Sequence, residues 1–168
     1  PQLAESWDIS EDGSEYTFTL RQDVTFHNGE PFNADAVVFN WKRAAEGEFE
    51  YSNLWSLATA EKVDDFTVKV TTDGPDALFL TTVADNWAMI PPGYFEEVGQ
   101  AGFEEHPMGT GPFMFVEWVK GEQVTMEANP NYWQEGTPKI QTLVFKPIPE
   151  SATRVAAIQT GEVDIVTR

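Results

Sequence analysis

The chain has 168 residues, carries 28 acidic against 10 basic side chains for a net charge of −18, and contains no cysteine. A field of that sign repels phosphate backbones and anionic lipid surfaces, so nucleic acid and a direct membrane surface are disfavoured as partners. Without cysteine there are no disulfides, thiolate chemistry or cysteine-based zinc sites, and no apolar run approaches the ~20 residues that span a bilayer.

Twelve Phe and six Trp, with glycine and proline spread along the chain, predict a globular fold able to bury one core or two small lobes. The absence of cysteine leaves the compartment open. The first residue is Pro1, and Val163 to Val166 reads as a strand with no partner after it, so both ends are expected to be cut from a longer protein.

Tyr16, Phe18 and Leu20 alternate with Thr17, Thr19 and Arg21, the period of a half-buried strand. Val24 to Phe26 predicts a second short strand, closed by the tight turn of Asn28-Gly29. Asn33 stands where an N-cap belongs, Asp35 complements the helix dipole, and Val37, Val38, Trp41, Ala44 and Ala45 form an apolar face of a helix running to about residue 45. Residues 46–56 read as a long loop or broken helix, and 60–63 with 66–72 as a hairpin about Asp64-Asp65. Pro75-Asp76 predicts the cap of a helix through Leu78, Leu80 and Val83. Trp87 to Ile90 reads as a short strand or extended piece stopped by Pro91-Pro92, followed by a short helix over 94–98.

The stretch 99–107, with its glycines, charges and proline, is the expected internal boundary. Beyond it, Gly109-Thr110-Gly111 turns into a long hairpin over 113–128 broken at Lys120-Gly121-Glu122. A strand over 141–146, a helix over 151–160 ended by Gly161, and the final strand complete the reading. Strands and helices interleave without a βαβα rhythm, which predicts a mixed α/β (α+β) class.

Catalytic signatures are missing. His27 and His106 belong to no metal-spaced pair and read as solvated or turn-capping side chains, and no GxSxG elbow, Walker loop or dinucleotide fingerprint occurs. Gly109-Thr110-Gly111 leads into a strand, so it lacks the helix N-terminus that cradles phosphate, and reads as a tight turn between layers. Glu96-Glu97 and Glu104-Glu105 are charged faces; with 28 acids, pairs at glycosidase spacing carry no signal. Trp7, Trp41, Trp118 and Trp133 are expected in the core. Trp55 and Trp87 fall in irregular segments where a pocket wall can be built, and are the candidate ligand contacts. No metal or cofactor is expected.

Five strings in series carry a resemblance: Leu3-Ala4-Glu5-Ser6-Trp7, Tyr16 to Arg21, Phe32 to Phe39, Pro107 to Phe113 with Asn129-Pro130-Asn131-Tyr132-Trp133, and Pro149 to Arg154. Together they resemble the family 5 solute-binding proteins of ABC importers, nearest the dipeptide- and oligopeptide-binding branch. The resemblance implies part of a two-lobed, type II periplasmic-binding-protein-like fold. Residues 1–105 would be the peripheral subdomain of the first lobe, and 106–168 a segment of its sheet-containing subdomain. It also implies capture of peptides outside the cytoplasmic membrane, delivery to ABC permease subunits by lobe closure, a monomer, and no enzymatic step. The location implied is periplasmic or otherwise extracytoplasmic, with a lipid anchor left open. In the nickel-binding branch a tryptophan near the position of Trp55 approaches the ligand, and this fragment alone is expected to bind peptide weakly or not at all. Nickel complexes or sugars are the alternative solutes. A two-acid glycosidase and a carbohydrate-binding module are the readings from other classes.

Overall fold

The structure is a computed structural model that describes residues 2–47 and 58–167. Its strands form two antiparallel sheets. The first has the order β1-β2-β4-β3, from β1 (Ala4–Ile9), β2 (Glu15–Leu20), β3 (Ala58–Asp64) and β4 (Thr67–Thr72). The second has the order β5-β6-β7, from β5 (Phe113–Val119), β6 (Gln123–Ala128) and β7 (Thr142–Phe145). Among the described residues four helices accompany them: α1 (Ala34–Glu46), α2 (Phe79–Asn86), α3 (Pro92–Glu105) and α4 (Ser151–Thr160).

The core follows from strand alternation. Tyr16, Phe18 and Leu20 of β2 and Val68 and Val70 of β4 all point to one face and are buried. Tyr16 lies opposite Val70 and Phe18 opposite Val68, so the inward rows meet in register. Helix α1 lies over β3 and β4 and closes that end with Ala36, Val37 and Trp41. Its start is capped as the sequence predicts, with Asn33 Oδ1 accepting from the Ala36 N–H at 3.0 Å.

Three expectations change, and one strand is unanticipated: β1 is an edge strand with mostly exposed residues, held by its ladder to β2. Val24 to Phe26 is not a strand. It folds back on residues 30–32 through a single bridge between Thr25 and Pro31, bonded by the Phe26 N–H to the Glu30 carbonyl at 2.8 Å and the Phe32 N–H to the Val24 carbonyl at 3.2 Å. The turn at 27–29 on one side and the start of α1 at Ala34 on the other leave no room for a longer ladder. α2 begins at Phe79, while Asp76 Oδ1 bonds the Leu78 N–H one turn earlier. Residues 163–167 form no strand; Ile165 is 80% exposed and no neighbouring strand lies beside the segment among the described residues. The tryptophans also divide: Trp41 is buried and Trp133 packs partly against the core, whereas Trp7 and Trp118 are exposed.

Gly99, at φ 67° and ψ −177°, interrupts α3 within the predicted boundary stretch. The start of that helix is capped from a distant loop. Glu30 accepts from the Gly93 N–H at 2.8 Å and the Tyr94 N–H at 2.9 Å, and a Cβ at Gly93 would stand 3.1 Å from that carboxylate. Burial pushes the Glu30 carboxyl up, but the bonds from Asn28, Gly93 and Tyr94 outweigh it and hold it below the usual carboxylate range. A depressed carboxyl stabilises the fold above its unfolded value, and that contribution is lost as pH falls through the folded one. Glu30→Gln should therefore cost about 1 kcal/mol at neutral pH and flatten the acid limb of stability below about pH 5. Urea titrations at stepped pH test this; parallel acid limbs for the two proteins would count against it.

Candidate functional site

Among the described residues helix α1 packs on β3 and β4, and the apolar face of the first sheet beside β1 and β2 borders a cavity. The cavity is an apolar pocket of about 260 Å³, floored by Phe18, Leu20 and Val68 and walled by Trp7, Leu80, Val83, Trp87 and Met89. Among the described residues of its lining, Gln2 alone is polar. Its described walls carry no titratable side chain, so what they offer a ligand is enclosure and exclusion of water.

Trp87 and Met89 reach the pocket from residues 87–90, which are irregular and belong to neither sheet. Helix formation is blocked ahead of Pro91, and Pro92 starts α3 where a missing N–H is harmless. The segment is held by adjacent residues of α1. Asn40, buried to 1% exposure, accepts from the Ile90 N–H at 3.1 Å and donates to the Ile90 carbonyl at 2.9 Å and the Ala36 carbonyl at 2.8 Å. Trp41 meets the Trp87 ring edge-on at 4.7 Å between centroids and donates from Nε1 to the Ala58 carbonyl at 3.1 Å.

The turn at Gly109-Thr110-Gly111 is clamped in a comparable way. The Gly109 N–H donates to His27 Nδ1 at 3.2 Å, so the ring proton sits on Nε2 and is donated to the Gly111 carbonyl at 3.0 Å. The His27 N–H reaches the Gly109 carbonyl at 2.9 Å, and Asn129 Nδ2 adds a second bond to the Gly111 carbonyl at 3.1 Å. Neither glycine has a positive φ, and a Cβ at Gly109 would meet the Met89 carbonyl at an ordinary 3.6 Å. The turn is shaped by its polar clamps, not by glycine conformation. Arg21 adds a link of another kind, its guanidinium lying 4.0 Å from the centre of the Trp133 ring while bonding Asp23.

Of the two candidate ligand contacts, Trp87 lines the pocket and Trp55 lies outside the described residues. His27 and His106 line a second cavity of about 260 Å³ beside Tyr94, Met114 and Glu127. Among the described residues no three His, Cys, Asp or Glu side chains are grouped to hold a metal ion. Nor is any helix among them long and apolar enough to cross a membrane. Sequence reasoning missed Asn40 and Asn129, while of its two readings of His27 the structure has the turn-capping one. Only Asn40 leaves a trace, as a polar residue on the apolar face that carries Val37, Trp41 and Ala44.

Comparison with known proteins sets this architecture in a family. The family model described as bacterial extracellular solute-binding proteins, family 5 Middle, matches residues 1–168. The glutathione-binding protein GsiB of Pectobacterium atrosepticum is 41% identical over 165 residues, covering 95% of this chain and 32% of that protein. NikZ from Campylobacter jejuni, solved in complex with Ni(L-His), superposes with a TM-score of 0.86 at 32% identity over 97% of this chain and 34% of its own. The oligopeptide-binding protein AppA from Bacillus subtilis, solved with a nonapeptide, gives 0.85 at 30% identity over 96% and 34%. The chain spans about a third of the length of the relatives it matches. With two antiparallel sheets, four helices and a match from its first residue to its last, the chain belongs to the bacterial extracellular solute-binding proteins of family 5.

Proposed function

We propose that this chain is part of the solute-capturing component of an ABC importer, which takes peptides outside the cytoplasmic membrane and delivers them to permease subunits by lobe closure. The observation that carries the reading is the end-to-end family match, joined to the superposition on a protein holding a nonapeptide. The pocket chemistry agrees with capture and not turnover, since its walls are apolar. Trp87, and Trp55 beyond the described residues, are proposed as part of the wall against which solute packs. Residues 1–105 and 106–168 are proposed as the two subdomains of one lobe, supported by a first sheet drawn wholly from residues 4–72 and a second from 113–145. Affinity in such a design depends on enclosure, with strand edges pairing to peptide backbone and closure selecting the liganded state.

A nickel complex is the second reading, favoured by the fit to the Ni(L-His)-bound protein. Native mass spectrometry of the gently purified full-length parent separates the two. The expected result is a ladder of retained masses matching short peptides. A single sharp non-peptide mass, or a metal complex, overturns the peptide reading and favours the alternative.

A further inference from the structure

Residues 87–90 carry two pocket walls yet lie in no sheet, so something other than a strand ladder must fix them. Among the described residues, two adjacent side chains of α1 take part in that role, Asn40 through its amide. The carboxamide of Asn40 presents an acceptor and a donor in one plane, as a peptide group does, and it bonds both polar groups of Ile90, at 3.1 and 2.9 Å. Ile90 is thereby paired as if to a neighbouring strand, but the neighbour is a helix side chain. A third bond, to the Ala36 carbonyl at 2.8 Å, locks the amide on its own helix and leaves it one orientation. Next to it Trp41 holds the ring of Trp87 edge-on, so residues 40 and 41 set the place of the segment at both ends.

We propose that Asn40 is a positioning residue for solute capture: it fixes the pocket wall formed by Trp87 and Met89 without touching the solute. This rests on the reading of the Trp87-lined pocket as a peptide site. An asparagine that only filled the core would be matched by any other core residue of similar energetic weight. A positioning asparagine affects affinity out of proportion to stability.

The experiment uses the full-length parent, an alanine-phenylalanine-alanine tripeptide as probe, titration calorimetry for affinity and thermal midpoints for stability. Asn40→Ala and the milder Asn40→Ser are compared with Val70→Ala, a buried core truncation outside the pocket lining, and with Trp87→Ala. Asn40→Ala is expected to weaken tripeptide binding about tenfold, and Asn40→Ser in the same direction, while Val70→Ala at an equal or larger midpoint loss changes it less than about twofold. Should Asn40→Ala fail to fold, Asn40→Ser carries the comparison. Asn40 variants that follow Val70→Ala, losing midpoint but not affinity, overturn the positioning role while Trp87→Ala still weakens binding. Unchanged affinity in Trp87→Ala overturns the pocket reading itself, and a wild-type parent that binds no tripeptide overturns the peptide assignment.

Discussion

Replacing Trp41 with alanine should lower the unfolding free energy by about 3–5 kcal/mol, the range for deleting a buried large aromatic. Trp41 is 3% exposed and stands where the helix, the first sheet and the pocket segment meet. It packs on Phe79 at 6.2 Å and on Trp87 at 4.7 Å, and bonds the Ala58 carbonyl through Nε1. Truncation leaves a cavity, an unpaired carbonyl and a Trp87 ring without its edge-on partner. Such a loss is a large share of the roughly 5–15 kcal/mol that holds an ordinary domain together. Trp41→Phe isolates the hydrogen bond, since it keeps most of the apolar surface, and should cost about 1–2 kcal/mol. Guanidinium denaturation of both variants, read by midpoint at constant slope, measures the difference. A loss below about 1 kcal/mol for Trp41→Ala would show that the site collapses without cost.

What was legible in the sequence is what local physics decides. β2 and β4 alternate because one of their faces is buried, and α1 announces its start through Asn33. α4 spans Ser151–Thr160 and ends at Gly161 in the left-handed region, as its sequence predicts. The family resemblance was legible for the same reason, its strings lying at turns, caps and strand starts. β1 was not legible, because an edge strand exposed along both faces has no pattern to read, and its place comes from its partner. The errors at 24–26 and 163–166 have the same root: apolar β-branched residues make a strand only where a ladder can run on. At 24–26 the pairing is cut short by the turn at 27–29 and the start of α1, while no strand pairs with 163–166 among the described residues. The polar clamps were hidden by distance. Asn40 finds Ile90 across 50 positions and His27 finds Gly109 and Gly111 across 82 and 84, separations that no local window spans. Of the candidate contacts, Trp87 lies in the wall of an apolar pocket, while Trp55 lies outside the described residues.

His27 ties the first sheet's loop to the entrance of the second sheet, and its removal should be the other large effect. His27→Ala leaves the Gly109 N–H without its acceptor and takes one of two donors from the Gly111 carbonyl, at an expected cost of about 2–3 kcal/mol. The second donor to that carbonyl is Asn129, whose own buried amide also caps the following turn by accepting from the Asn131 N–H at 2.9 Å. Either single variant therefore leaves the Gly111 carbonyl one partner, and the double variant leaves it none. His27→Ala combined with Asn129→Ala should cost more than the sum of the two by about 0.5–2 kcal/mol, the sign expected when two donors serve one acceptor. A double-mutant cycle by chemical denaturation reads this directly. Additivity within about 0.5 kcal/mol would mean that water replaces either donor freely, and that the turn owes its shape to the chain on either side of it and not to the shared carbonyl.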